Sequence, residues 1–284
     1  MIFLPRKNNV TDKFLLLLSW LSGVIILGCF IFLIANISYQ GFSRLSLDFI
    51  FSNPQNAGRA GGIAPMLVST LLLIGIALLI ALPIGIMSAI YLAEYTNEQQ
   101  WFAAFIRRSL NVLASIPSIV MGMFGYVFFV ISLGLGFSIL SGGLTLASMI
   151  LPLLIRNIED SLRNISTEYR LNAASLGLSQ FRTIFQILLP LAAQGIVLAV
   201  ILSIGRVMAE TAALLYTSGY VSRMPESLFD SGRSLSVHIF DLSMNVPGGE
   251  QSAYGSAFVL VFLLLLINVT TAVLSKQFQL RSAL

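Results

Sequence analysis

Arg206 and Glu210 stand four residues apart in SIGRVMAETAALL (Ser203–Leu215), inside a long apolar run of a chain in which only 10% of residues are charged. A guanidinium presents a planar fork of donors that suits phosphate-like oxyanions. A carboxylate beside it competes for that fork and repels a resident anion, and a conduit must release what it binds. Read as a helix, Gly195, Ala199, Ser203, Arg206, Glu210, Ala213 and Thr217 fall on one stripe of small or polar residues. The pair, with Ser203, therefore faces protein or a water-filled path. Placing either charge at the centre of a spanning helix costs roughly 2.5–3.5 kcal/mol. Attraction at about 4 Å and an effective dielectric of about 20 returns roughly 4 kcal/mol. Arg ahead of Glu is the poorer order for local helix support. Arg206 lies 16 residues beyond Pro190, about 24 Å of helix. If Pro190 marks the inner boundary, Arg206 falls in the outer half of a ~30 Å core. Three readings stand: snorkelling of Arg206 to the outer interface, a structural ion pair, and a translocation path or gate for an anion.

The elements that must position this pair are membrane helices. The 284-residue chain is 57% hydrophobic, and its charged fraction falls far below the roughly 25% of soluble domains. Six apolar runs are each long enough to span a bilayer: 14–34, 66–92, 110–133, 137–155, 187–215 (interrupted by the pair) and 255–275. The expected fold is all-α with six transmembrane helices. The turn signal GLG (Gly134–Gly136) divides the third run from the fourth. With both termini inside, 11 Lys and Arg lie inside and four outside (Arg44, Arg59, Arg223, Arg233), as the positive-inside rule requires. This divides the chain into an inside tail (1–13), a first span with its outer loop (14–65), a core of five spans (66–276) and an inside C-terminal tail (277–284). The first run is longer than a signal core and has no A-x-A cleavage site after it, so it reads as a retained helix. Cys29 within it reads as a small buried apolar residue. The net charge of +4 reflects the sorting of basic residues across the membrane and implies no nucleic-acid partner.

Several chemistries are missing. No G-x-x-x-x-G-K-[ST] loop is present, and none of the three lysines follows a glycine. His238 is the only histidine, which excludes two-histidine metal sites and relay triads within one chain. It reads as an ordinary residue of the outer loop. GRAGG (Gly58–Gly62) reads as a flexible lead-in to the second span. The segment Glu94–Ser109 reads as an interfacial helix with Trp101, Phe102 and Phe105 on its apolar side, and Pro117, Gly122 and Gly125 predict a kinked, closely packed third span. Between the fourth and fifth spans, Leu171, Ala174 and Leu178 could share a face, Gly177 offers a left-handed helix end and Ser179 an N-cap. A short helix, a sharp turn and a new helix follow, with an apolar face that calls for a lipid or protein partner. The outer segment 218–254 carries Pro225, PGG (Pro247–Gly249) and SVHIFDL (Ser236–Leu242), and reads as a docking surface or a covering loop.

That inner segment resembles the cytoplasmic loop of bacterial ABC-importer permeases, E-A-A-x3-G-x9-I-x-L-P. Ala173, Gly177, Ile187, Leu189 and Pro190 match it, whereas Leu171 and Asn172 replace its Glu and first Ala. Residues 60–276 further resemble the PstA family of phosphate-importer permeases, through GGIAPMLVSTLLL, ALPIGIMSAIYLAEY, IPSIVMGMFGYVFFV, GLTLASMILPLLIRNIEDSLR and GRVMAETAALLYTSG. The resemblance implies a type I (MetI-like) permease in the bacterial inner membrane, with a cytoplasmic coupling helix that includes Ala173, Ala174 and Gly177. It implies a PstC-like second permease subunit, two ATPase subunits that use ATP-Mg, and a periplasmic phosphate-binding protein. It also implies that Arg206 and Glu210 hold functionally important positions. Other readings are a permease for molybdate or tungstate, and a passive channel or membrane scaffold.

Overall fold

The computed structural model describes residues 10–97 and 100–282, with side chains for 12–97 and 100–270. Arg6 and Lys7 lie outside the described residues, as do the side chains of Lys276 and Arg281.

The chain begins with α1 (Val10–Phe42), a short α2 (Leu47–Phe51) and a small hairpin of β1 (Pro54–Gln55) and β2 (Ala60–Gly61). Then come α3 (Ala64–Glu94), α4 (Trp101–Ser115) and α5 (Ser118–Gly125), the last widening into a π-helical stretch, Tyr126–Ser132. After α6 (Ile139–Arg163) come α7 (Thr167–Ser175) and α8 (Gln180–Arg182). A second π-helical stretch, Thr183–Leu188, leads into α9 (Leu189–Ala209). The short α10 (Ala212–Leu215), α11 (Leu235–Met244) and α12 (Glu250–Ser282) complete the order. Five helices are long and apolar enough to cross a membrane, or six if α4 and α5 count as one bent span.

The core is the parallel pair α3 and α6. Leu73 packs beside Gly142 near their starts, and Gly85 lies against Leu154 further along. Leu73, Ala77, Ala81, Leu146, Ile150 and Leu154 are buried between them. Ser138 caps α6 by accepting from the Ser141 N–H, which satisfies one of the N–H donors a helix start leaves open. α9 runs back along α6, with Gly195 against Ser161. α1 is the opposite case. Its best spanning window has no buried residue, and its contact with the rest runs through Gly41 against Tyr254 and Phe258 of α12. An apolar helix exposed all round is stable only in lipid or against another protein. Cys29 is exposed on it, which corrects the expectation of burial.

The third expected span, 110–133, is kinked at Pro117 as expected, but through 100° and with its first residues in a separate helix. Ile116 precedes a proline and is extended, at φ −65 and ψ 130, because proline disfavours helical geometry in its predecessor. α4 therefore ends at Ser115, and the chain turns through 100° into α5. The uncharged residues 110–115 belong to α4, whose polar side holds Arg107 and Asn111 against α6. GRAGG is no flexible lead-in. Asn56, Ala57, Gly58 and Gly61 take positive φ, and the Gly62 N–H donates to the Asn53 carbonyl, which closes the hairpin.

Candidate functional site: a helix break beside a charge pair

α9 does not continue through the pair. It ends at Ala209, Glu210 is extended at φ −71 and ψ 126, and α10 starts two residues later. The continuous stripe expected through Glu210, Ala213 and Thr217 is thus broken at Glu210. Close backbone packing holds the break. A Cβ on Gly122 of α5 would lie 2.7 Å from the Ala213 Cα, so only glycine lets α5 approach α10 this closely. From the other side, the Ser236 hydroxyl of α11 donates to the Glu210 carbonyl.

The second broken element meets the first. The Glu210 side chain is half-buried and lies against the Ser118 hydroxyl, at the start of α5, with the Arg206 guanidinium near enough to act on it electrostatically. Among the described residues, Arg206 makes no direct ion pair and no side-chain hydrogen bond. Its donor fork is left open. Ser203 is fully buried and its hydroxyl donates to the Ala199 carbonyl, so the fold does not bring it to the surface that Glu210 and Ser118 share.

Height along the bundle bears on the snorkelling reading. Gly195 is level with Ser161 of α6, and Ser218 with Gly142. Those two α6 residues are about 28 Å apart along the helix, and Arg206 lies about 16 Å beyond Gly195. Arg206 is therefore near mid-height, where a snorkelling side chain has the furthest to reach.

At the α7 end of the bundle the charges are arranged differently. Glu159 of α6 accepts from Arg107 Nε at 2.7 Å and lies 3.0 Å from Arg163 Nε. Arg107 and Arg163 both donate to the Leu92 carbonyl, at 2.9 and 3.2 Å. Glu94, the last residue of α3, is held by Arg170 of α7 through two bonds, Nη2 to Oε1 at 2.6 Å and Nε to Oε2 at 3.0 Å. Hydrogen bonding to Glu94 raises the Arg170 pKa above its ordinary value, against the opposing effect of burial. α7 starts at Ser166, which accepts from the Glu168 N–H, and ends at Gly177, φ +70. There the Leu178 N–H donates to the Ala173 carbonyl. Ser179 then caps α8 by accepting from the Arg182 N–H. The face expected from Leu171, Ala174 and Leu178 to call for a partner is left largely uncovered. Ala173 is buried, whereas Leu171 and Ala174 are exposed and Leu178 is half-buried. Ile187 is half-buried, Leu189 is half-buried and Pro190 exposed where α9 begins.

At the α11 end, Arg233 pairs with Asp241 at 2.8 Å and approaches His238 Nδ1 at 3.5 Å. His238 is buried against Gly58 of the hairpin, not a free loop residue. Burial, then repulsion by Arg233, lowers its pKa to about 4, with Asp241 opposing. Among the described residues no cluster of His, Cys, Asp or Glu could hold a metal ion. Glu94, Ser118, Arg170 and Ser236 were not singled out from the sequence. The one available signal was a lone acid, Glu94, closing an apolar run.

Comparison with known proteins converges on one class. The family model described as binding-protein-dependent transport system inner membrane component matches residues 81–282. A Bacillus subtilis protein called probable ABC transporter permease protein YqgI is 32% identical over 93% of this chain and 94% of its own length. A phosphate transport system permease protein PstA 1 of Mycobacterium tuberculosis is 34% identical over 76% of this chain and 71% of its own. Among solved structures, a chain of a bacterial ABC transporter involved in the import of alginate superposes with a TM-score of 0.65 at 14% identity, covering 94% of this chain and 97% of that one.

Proposed function

Because the chain belongs to the family of binding-protein-dependent transport system inner membrane components, and is thus a multi-pass permease subunit of an ABC importer, we propose that its substrate is inorganic phosphate. The observation that carries this is the open donor fork of Arg206, at mid-height and beside Glu210, where α9 and α5 are both broken. A guanidinium whose donors no side chain uses can offer two parallel bonds to an oxyanion. Glu210 keeps the site from holding that anion too firmly. A helix break opens backbone and side chains toward the space beside it, which is tolerated at membrane depth where protein or a water-filled cavity lies alongside. The likeness to phosphate permeases over three quarters of the chain supports the substrate. Ser203 acts here by packing rather than by touching the ion.

In this reading α7 lies at the cytoplasmic face, both termini are cytoplasmic, and Ala173, Ala174, Gly177, Ile187, Leu189 and Pro190 belong to the segment that meets the ATPase. ATP is bound and hydrolysed by a pair of partner subunits. A second, PstC-like permease subunit completes the path, and a periplasmic phosphate-binding protein delivers the ion.

The test is uptake of labelled phosphate by the complete complex in liposomes, with the native chain and with Arg206→Ala. The expected result is ATP-dependent uptake by the native complex and a loss of about 100-fold in the variant, the equivalent of about 3 kcal/mol for two charge-assisted bonds, with assembly and ATP hydrolysis retained. Normal uptake by Arg206→Ala makes the pair structural. A native complex that moves molybdate or tungstate but no phosphate keeps the permease and overturns the substrate.

A further inference from the structure

We propose that Arg170 and Glu94 are the positioning residues that join α7 to the bundle, so that a push on α7 is delivered to the α3–α6 pair as well as to α9. This rests on the reading of α7 as the segment the ATPase pushes.

Most of α7 is exposed. Of its nine residues, only Ala173 is buried and only Arg170 is half-buried; the other seven are exposed. Ala173 offers one methyl group. The covalent exit toward α9 is the Gly177 turn, which has open space around it. A turn of that kind is a weak lever. Arg170 has the opposite character. Its guanidinium uses three nitrogens in four bonds: two to Glu94, one from Nη1 to the Ile165 carbonyl at 3.0 Å, and one from Nη2 to the Leu162 carbonyl at 3.0 Å. Leu162 lies in the last turn of α6 and Ile165 two residues past its end, where a cation is favoured by the helix dipole. Glu94 is the last residue of α3, and its side chain is only 7% exposed. One planar group therefore ties the ends of α3 and α6 to the first half of α7.

The neighbours extend the tie. Gln180, just past the turn, donates to the Glu94 carbonyl at 3.1 Å. Arg107 of α4 and Arg163 of α6 hold the Leu92 carbonyl two residues back. The last turn of α3 is thus the hub on which α4, α6, α7 and α8 all converge. Beyond it, α3 and α6 are packed together along their length. A displacement of Arg170 has to move that pair, because the alternative is a Glu94 carboxylate left buried without its partner, the costly way to break such a contact. Lysine cannot substitute, since one ammonium does not reproduce four bonds in a fixed plane.

The test uses the complete complex on a Cys29→Ser background, with Ala209→Cys as an exposed reporter beside the α9 break. A maleimide labels that thiol with and without ATP plus vanadate, alongside assembly and ATP hydrolysis. This readout does not involve the substrate, so failure of the phosphate reading leaves it intact. In Arg170→Lys and Glu94→Gln, the ATP-dependent change in labelling is expected to fall by about tenfold while hydrolysis stays within about twofold, and the exchange Glu94→Arg with Arg170→Glu restores part of it. An undiminished labelling change in both single variants overturns the proposal. So does a loss of assembly in both, which makes the tie structural only.

Discussion

The chain spends its buried charge in two ways. At the α7 end, Glu94 and Glu159 are 7% and 6% exposed and each is bound directly by arginine. Those arginines also take up the end carbonyls of α3 and α6. At mid-height, Glu210 is half-buried beside a serine, and Arg206 makes no direct ion pair among the described residues. The same residue types do different things because of what surrounds them. Where the end carbonyls of several helices converge, the donors of arginine are used up and the group becomes a fastener. At the helix break, among the described residues, no carbonyl or carboxylate accepts a hydrogen bond from the Arg206 guanidinium.

The largest expected effect sharpens this contrast by making one change in both places. Glu159→Gln removes the buried carboxylate that Arg107 and Arg163 share and should destabilise the protein by about 3–5 kcal/mol. Glu210→Gln should cost well under about 1 kcal/mol, since no direct ion pair is lost. Thermal unfolding in detergent reads both, and equal losses would break the comparison.

The α11 end supports the break from outside, and its histidine gives the next effect. The His238 pKa is lowered in the folded protein from 6.5 to about 4, so the native state binds fewer protons than the unfolded state between those values. Stability from this group is complete above pH 6.5, falls as pH drops toward 4 and is constant below it. The full change is about 3 kcal/mol. Hydrogen exchange of residues 56–62 and 235–244, corrected for intrinsic rates, should show weaker protection at pH 5 than at pH 7, with the difference gone in His238→Leu.

Gly122→Val tests the packing that holds the break. Its side chain would meet the Ala213 backbone, and overpacking of this kind costs about 1–3 kcal/mol. The melting temperature should fall, whereas Gly134→Ala, in open space, should lose less through backbone strain alone. Ser236→Ala gives a smaller loss than Gly122→Val, about 1 kcal/mol for one hydrogen bond to the Glu210 carbonyl. It is read as faster exchange at the α10 amides, and Ser236→Thr should restore protection.

Much of the fold was legible because it follows from local periodicity and composition. The five long apolar helices, the Gly177 turn and the Ser179 cap all depend on residues close in sequence. The third span was misplaced because hydropathy does not report direction. Residues 110–115 are uncharged whether the helix runs along α6 or continues past Pro117, and the proline decided between them. The stripe on α9 was drawn too far for a similar reason. Nothing local in VMAETAALL stops a helix; the stop is imposed by α5 against α10 and by Ser236. Arg206 and Glu210 stood out as charges in an apolar run. Glu94 and Arg170 did not, because 76 residues separate them and each is unremarkable alone.

The sequence by itself determined that the chain is a membrane protein, where its helices are rich enough in apolar residues to span, and which two charges had to be accounted for within one of them. These are properties of composition and short-range spacing. Only the tertiary structure decided which charges are fasteners and which remain open, because that depends on whose carbonyls and carboxylates the folded helices bring within about 3 Å of each guanidinium.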